Sequence, residues 1–403
     1  MCRMWIPRDL ESPWAAGSSL PVRILTGVRQ CGKTSLLDHL APRGWKVLSL
    51  DDFQLRSLAN RDPALFFDLN PLPAIIDEIQ YAPDLFPEIK RRVDTWRRER
   101  REDREGQKPL VWASGSNQIL IDREVKESLA GRASSYTLHT LAVGEIARAF
   151  PGSSLDTVFL KGGWPELYLD ESLSPAAYLN DYVRSFIEKD IVLSAGIQKV
   201  QTFARVLALL AARTGTLLNA SSISQESGVQ ASTILDWVGI LERTHLVHRL
   251  QPWHSNLSKR VLKTPKLYFL DIGLAARLQG WSEQAPLLRS PQAGPLFETL
   301  VLSEIMKTRD HFLKDWQVFY WRTREKEEVD FIVRNSAGKT IALEAKLAAQ
   351  SIAPVELPAG FRREFPEVDQ VAVVAFSGEE RMVSHHCVQL PIVRLAAHLL
   401  ERL

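Results

Sequence analysis

Short apolar runs bounded by glycine, proline or polar residues recur through the first 150 positions. "PVRILTG", "WKVLSL", "PAIIDEIQ", "PLVWASGS" and "SSYTLHTL" each have the length and character of a buried strand. Helical periodicity fills the intervals; Leu85, Ile89, Val93 and Trp96 recur at helical spacing before the segment turns to charge in "RRERREDREGQK". That basic run is read mainly as a solvated helix face, with phosphate contact as its functional alternative. Strands apolar nearly throughout, alternating with amphipathic helices, predict a doubly wound α/β domain with a parallel sheet over residues 1–150.

From 151 to 200 the pattern turns helical, most clearly in "YLNDYVRSFIEKDI", with the Gly-Gly turn of "GGWPELYL" as punctuation. This segment is predicted to be a helical connector. Residues 201–285 predict a compact module. In "SSISQESGVQASTILDWVGILERTHLVHRL", Ile223 begins one helix, Gly228 makes a turn, and Ile234, Leu235, Val238 and Leu241 form the apolar face of a second helix. Two strand-like pieces around a basic loop follow, giving a winged-helix pattern whose second helix fits a major groove. Lys259, Arg260 and Lys263 are the wing charges suited to phosphates. Helices of this shape also pack on protein partners. The Pro- and Ser-rich "SEQAPLLRSPQAGP" reads as a linker, and residues 290–403 as a second α/β domain.

Composition narrows the classes. The chain has 403 residues, enough for two or three cores, and 45% are hydrophobic against 24% charged. No apolar run approaches the roughly 20 residues that span a bilayer, and the opening "MCRMWIPRDLESPW" lacks the apolar stretch of a secretory signal. Cys2, Cys31 and Cys387 are too scattered for a disulfide framework, which predicts a reducing cytoplasm. A net charge of +2 means that an anionic partner must be held by local patches. His245, His248 and His254 lack metal-ligand spacing, and His385, His386 and Cys387 lack a partner pair for zinc.

The first candidate site is "GVRQCGKT", between the strand "PVRIL" and the helical "SLLDHL". Gly27, Val28, Arg29, Gln30, Cys31, Gly32, Lys33, Thr34 and Ser35 form a phosphate loop in the context that defines one. Gly27 and Gly32 let backbone N–H groups face phosphate oxygens, and the helix N-terminus adds partial positive charge. Lys33 is suited to the β and γ phosphates of ATP, and Thr34 to Mg²⁺. The strand "AIIDEIQ" ends in Asp77, suited to hold Mg²⁺, and Glu78, suited to act as general base on water. Ser116 and Asn117 are candidate γ-phosphate sensors after a further strand, and Arg132 is a candidate to serve a neighbouring subunit's nucleotide.

"GVRQCGKT", "IIDEIQ", "SGS" and "LAGR" in this order, with "GGWPELYL" and "YVRSFIEKDI", resemble the AAA-like ATPases of prokaryotes that carry a C-terminal domain of unknown function. The resemblance covers nearly the whole chain. It implies an ATPase fold competent to form homo-oligomers, without a biological role.

The second candidate site is "EEVDFIVRNSAGKTIALEAK". Side chains two apart on a strand share a face, so Glu344 and Lys346 project together, opposite Ile341, Leu343, Ala345 and Leu347. On the preceding strand Val329, Phe331 and Val333 mark one face and leave Asp330 on the other. If these strands are neighbours, the three polar residues converge, and two carboxylates with a lysine suit a divalent metal and a phosphate. The pattern resembles the D…ExK signature of restriction-endonuclease-like nucleases. Glu298, at helical spacing from Val301, Leu302 and Ile305, is the candidate helix-borne acid. Cleavage, nucleic-acid binding and structural charge all remain open at this point.

The chain is thus read as an α/β protein: a P-loop ATPase domain, a helical connector, a winged helix and a restriction-endonuclease-like domain. The leading expectation is an ATPase that couples nucleotide state to DNA binding or processing. The alternative is a nucleotide-dependent switch acting through protein partners, and a small-molecule kinase is disfavoured because Asp77–Glu78 points to water as nucleophile.

Overall fold

The computed structural model describes residues 4–17, 20–101, 110–116, 118–185, 197, 199–253, 264–347, 355–368 and 370–403. The chain divides into two compact units, one of Pro7–His139 with Asp310–Leu313, the other chiefly of Thr140–Arg309 and Lys314–Leu403. The segments predicted at 151–200, 201–285 and 290–403 fall in the second, apart from Asp310–Leu313.

In the first unit, β1 (Val22–Thr26), β2 (Lys46–Ser49), β3 (Ala74–Asp77), β4 (Val111–Ser114) and β5 (Ala133–Thr137) form a parallel sheet in the order β2-β3-β4-β1-β5. Every residue of β3 and β4 is buried, which is why these strands read as unbroken apolar runs. Helix α1 (Lys33–Leu40) follows β1, and α2 (Leu85–Arg101) lies between β3 and β4. Leu85, Phe86, Ile89 and Val93 of α2 bury one stripe against Ile24, Ile76 and Ala113. Each such side chain contributes about 1.5–3 kcal/mol. A phosphate loop after β1 and an acidic pair at the end of β3 make this the α/β fold of a P-loop ATPase.

The second unit holds a nine-stranded mixed sheet in the order β13-β14-β12-β11-β10-β9-β7-β8-β6. Its first part contains α3 (Val200–Ala211), β6 (Thr216–Leu217), α4 (Ala220–Ser227), α5 (Ala231–Arg243), β7 (Val247–Pro252) and β8 (Lys266–Phe269). Gly228 ends α4 in the left-handed conformation, φ 73°, and its N–H bonds Ser224 O at 2.9 Å. Ile234, Trp237, Val238 and Leu241 form the buried stripe of α5. Leu235 is 44% exposed instead. Positions 234, 237, 238 and 241 follow the helical repeat, and 235 falls outside it. Strands β6, β8 and β7 pair antiparallel. His254 and the wing charges Lys259, Arg260 and Lys263 lie outside the described residues.

Helix α6 (Ala293–His311) precedes an antiparallel meander of β9 (Gln317–Arg322), β10 (Glu328–Arg334) and β11 (Thr340–Lys346). Helix α7 (Ala359–Glu364) leads to β12 (Val371–Ala375), parallel to β11, followed by β13 (Arg381–Ser384) and β14 (Cys387–Pro391). Strand β7 pairs parallel with β9 through Gln251–Phe319 and Pro252–Tyr320, so the sheet passes unbroken from the part that holds α4 and α5 into this one. The predicted linker holds a helix, Gln284–Leu288, with Leu287 fully buried, so it is packed rather than open.

Residues Val329 to Val333 are all buried, so β10 is covered on both faces. The predicted alternation also breaks: pairing with β9 shifts register between Val329 and Ile332. Val329 therefore joins Ile332, Ala342, Phe361 and Trp253 in one apolar cluster, rather than sharing the face of Phe331 and Val333. A one-residue irregularity exchanges the faces of a strand.

The "GGW" turn has a structural role. The buried Asp271 carboxylate accepts from Gly163 N–H at 2.9 Å, Trp164 Nε1–H at 3.1 Å, the Thr140 hydroxyl at 3.0 Å and Leu274 N–H at 3.0 Å. A Cβ on Gly162 would collide with this carboxylate. Among the described residues, no helix is long and apolar enough to cross a membrane.

Candidate functional site

The loop from Gly27 to Thr34 bends through left-handed φ values at Gln30, 64°, and Gly32, 99°. A Cβ at Gly27 would strike Leu138 O, so only glycine lets the loop pass beside the end of β5. Arg8, which sequence reasoning missed, supports the loop: its buried guanidinium donates to Cys31 O at 2.9 Å and His139 O at 2.7 Å. The Cys31 thiol meets Leu138 O at 3.3 Å, and Val28 is buried beside it. Arg29, Gln30, Thr34 and Ser35 are exposed. Lys33 Nζ donates to Gly27 O at 3.1 Å and Val28 O at 2.9 Å, folding its charge over the loop it belongs to.

Asp77 sits at the sheet end that carries this loop. Its Oδ2 accepts from Thr34 Oγ1 at 2.8 Å, and its Oδ1 accepts from Ser114 Oγ. A carboxylate bracketed by two hydroxyls is a hard oxygen set of the kind that binds Mg²⁺. Glu78 holds a left-handed backbone, φ 55°, directly after Asp77. That carboxylate accepts from Ser116 Oγ at 3.1 Å and from Gln80 Nε2. Gly115 makes the approach possible, since a Cβ there would collide with Gln80 and Ile121. Asn117 lies outside the described residues. Ser114 and Gln80 were missed from the sequence, although Ser114 ends the strand beside β3 and its position was legible.

Arg132 is held elsewhere. Its guanidinium forks onto Asp94 of α2 at 2.7 and 2.9 Å and keeps that carboxyl below the usual range. It precedes β5, at the opposite end of the parallel strands from the phosphate loop after β1, and does not join that loop.

In the second unit, β10 and β11 are neighbours with Phe331 opposite Leu343, which sets Asp330 and Glu344 across from each other. Asp330, 9% exposed, accepts Ala345 N–H at 2.9 Å. Burial, reinforced by Glu344 and Glu298, pushes its carboxyl up to about 8. Glu298 is raised by burial, against the opposing pull of Lys266, whose Nζ lies 3.8 Å away. Lys346 Nζ pairs with Glu344 Oε1 at 2.7 Å at the exposed edge. The oxygens of Asp330, Glu344 and Glu298 do not all lie within 4.8 Å of one another, so the trio is not closed as a metal cage.

Three members of this cluster were missed. Lys266 of β8 is 3% exposed and pairs with Glu328, and Tyr268 OH lies 3.3 Å from Glu298 Oε2. Burial pushes the Tyr268 phenol well above its ordinary range. Glu328 was in plain view beside Asp330. The burial of Lys266 depends on pairing between distant strands, and no local pattern signals it.

Three family models match consecutive parts of the chain: an AAA domain over residues 19–147, Domain of unknown function (DUF8612) over 152–285, and Domain of unknown function (DUF4143) over 293–393. The AAA match spans the phosphate loop and the Asp77–Glu78 pair, and supports ATP binding and hydrolysis at the level of the domain. Among solved structures, the Walker-type ATPase PABY2304 of Pyrococcus abyssi is 15% identical, covering 68% of this chain and 96% of that one, with a TM-score of 0.43. The Aeropyrum pernix ORC2 protein is 12% identical, covering 67% and 89%, with a TM-score of 0.31. An uncharacterized protein of Haemophilus influenzae is 22% identical over 78% of this chain and 80% of its own length. The uncharacterized protein Rv2008c of Mycobacterium tuberculosis is 30% identical over 332 residues, which make up 81% of this chain and 70% of that protein. Its AAA match is followed in this chain by the DUF8612 and DUF4143 matches, and with 30% identity over most of both chains the protein belongs to the family of Rv2008c.

Proposed function

We propose that the protein is a Mg²⁺-dependent ATPase that couples nucleotide state to DNA binding or processing. The observation that carries the ATPase reading is Asp77 bracketed by Thr34 and Ser114, with Glu78 held beside it by Ser116. In this reading Lys33 exchanges its two loop carbonyls for the β and γ phosphates, the stronger, charged acceptors. Thr34 and Asp77 hold Mg²⁺, which when bound neutralises phosphate charge. Glu78 takes the proton of the attacking water, and Ser116 links the position of that base to the loop after β4.

For the DNA half, the support is architectural. Helix, tight turn and helix in α4 and α5, followed by the β7–β8 hairpin, fit a winged helix with α5 as the groove-facing element. The order α6, β9, β10, β11, α7, β12, with Glu298, Asp330, Glu344 and Lys346 on α6, β10 and β11, fits a restriction-endonuclease-like domain. A switch that acts through protein partners is the competing outcome.

Phosphate release with Mg²⁺ and ATP tests the first half. Lys33→Ala is expected to weaken nucleotide binding, and Glu78→Gln to keep binding while slowing turnover by about 10²-fold or more, the scale of a lost general base. Equal rates in wild type and the Gln variant remove Glu78 from its role. Salt-dependent binding to duplex DNA tests the second half.

A further inference from the structure

One charged surface is not used by this reading. Arg91, Arg97 and Arg98 of α2 and Arg132 before β5 line a single open depression with Asp94. Four guanidiniums against Asp94, and against Glu88 which pairs with Arg91, leave a surplus of two positive charges. The groove is built rather than splayed. Arg132 is fixed by its fork onto Asp94, and Arg97 Nη2 donates to Gly131 O at 2.8 Å, which ties the end of α2 to the turn before β5. Arg91 is braced by Glu88 at 2.6 and 2.7 Å, while Arg98 bonds a neutral hydroxyl, Thr95, at 3.4 Å.

Location separates this groove from the nucleotide of its own chain. The end of α2 leads toward β4, and Gly131–Arg132 leads into β5, so the groove lies at the N-terminal edge of the parallel strands. The phosphate loop follows β1 at the opposite edge. Its dimensions fit a polymer. From Arg91 to Arg98 α2 rises about 10 Å at 1.5 Å per residue, which spans about three phosphates of one DNA strand at 3.4 Å per charge along the axis. Guanidinium forks match phosphate oxygens, and two of these are already positioned.

We propose that this groove is a nucleic-acid contact of the ATPase domain, gripping the phosphate backbone of DNA through Arg91, Arg97, Arg98 and Arg132. It rests on the reading that the protein binds DNA, and adds a surface outside the helix-turn-helix part.

The test is fluorescence anisotropy of a labelled duplex with the full chain, titrated across salt. Arg97→Glu with Arg98→Glu removes two phosphate contacts, so the log–log salt slope is expected to shrink by about 2. Between about 50 and about 200 mM salt, wild-type affinity is then expected to fall roughly tenfold more than that of the variant. The exposed Arg98→Ala alone, which is expected to leave the fold intact, is expected to shrink the slope by about 1. ATP hydrolysis without DNA is expected to be unchanged in both variants. Wild-type binding with an unchanged slope in both variants overturns the groove and leaves the DNA reading standing. No salt-dependent binding by wild type overturns both. An unchanged slope with protein-concentration-dependent loss of ATP hydrolysis makes the face a contact between copies of the chain, which also overturns the proposal.

Discussion

Lys266→Met is expected to destabilise the second unit by about 3 kcal/mol, the lower end of the range for breaking a buried ion pair. Methionine has nearly the length of the lysine stem and fills the same space between the Tyr268 and Tyr320 rings, whose centroids lie 5.9 and 5.6 Å from Nζ. The loss is therefore electrostatic. It leaves Glu328, the ion-pair partner, and Glu298, 3.8 Å away, without their buried cation. Glu328 keeps Arg322 at 3.4 Å, which is why the lower end of the range applies. Urea unfolding followed by tryptophan fluorescence measures the effect, since Trp253 and Trp321 are buried in the same unit. The Lys266→Met, Glu328→Gln double variant is expected to cost less than the sum of the singles by about 1–3 kcal/mol, the coupling of neighbouring charges. A single variant within about 0.5 kcal/mol of wild type, the scale of an ordinary surface change, refutes the reasoning, and so does strict additivity.

Asp330→Asn carries a pH signature. A carboxyl pushed up to about 8 in the folded chain, against about 3.9 unfolded, favours folding fully below pH 4 and loses that contribution as pH rises toward 8. The Asn variant is expected to gain on wild type across that window in thermal melts, by up to several kcal/mol, and parallel stability curves would count against the shift. Gly115→Ala is expected to push Gln80 off Glu78 and lower ATP turnover with nucleotide binding retained; a wild-type rate refutes the contact's importance. Asp271→Asn turns an amide group toward donors that now meet a carboxylate and is expected to cost about 2–4 kcal/mol, read by denaturant midpoint.

The ATPase half was the more legible. All five strands of its sheet overlap the runs read as strands, most plainly β3 and β4, because parallel strands buried on both faces need no partner to declare themselves; β2 and β5 are partly exposed. The phosphate loop and Asp77–Glu78 are local motifs and fall together at one end of the sheet. Arg8 and Gln80 escaped because their roles arise from segments brought together in space, while Ser114 stood in view at the end of β4. In the second unit, Ile234, Val238 and Leu241 gave the correct helix stripe while Leu235 did not, since apolar character alone does not fix helix phase. Period-two reading put Asp330 and Glu344 on polar strand faces, and the β10–β11 pairing on which their meeting was conditional comes from the structure. The bulge that moved Val329, and the arrival of Lys266 from another strand, depend on tertiary pairing that a linear pattern does not encode.

The β7–β9 pairing also bears on how such chains can be recombined. Trp253, just past β7, stacks on Phe365 with ring centroids 3.7 Å apart, so the aromatic core around α7 borrows a residue from before the DUF4143 boundary. A fragment beginning at residue 293 would lack that ring and present β9 with an open backbone edge, ready to recruit a foreign strand. Domain shuffling at this junction would then yield self-association rather than an autonomous module. An excision point that keeps both the whole sheet and the partners of Asp271 lies before Thr140, where the unit travels as one inheritance.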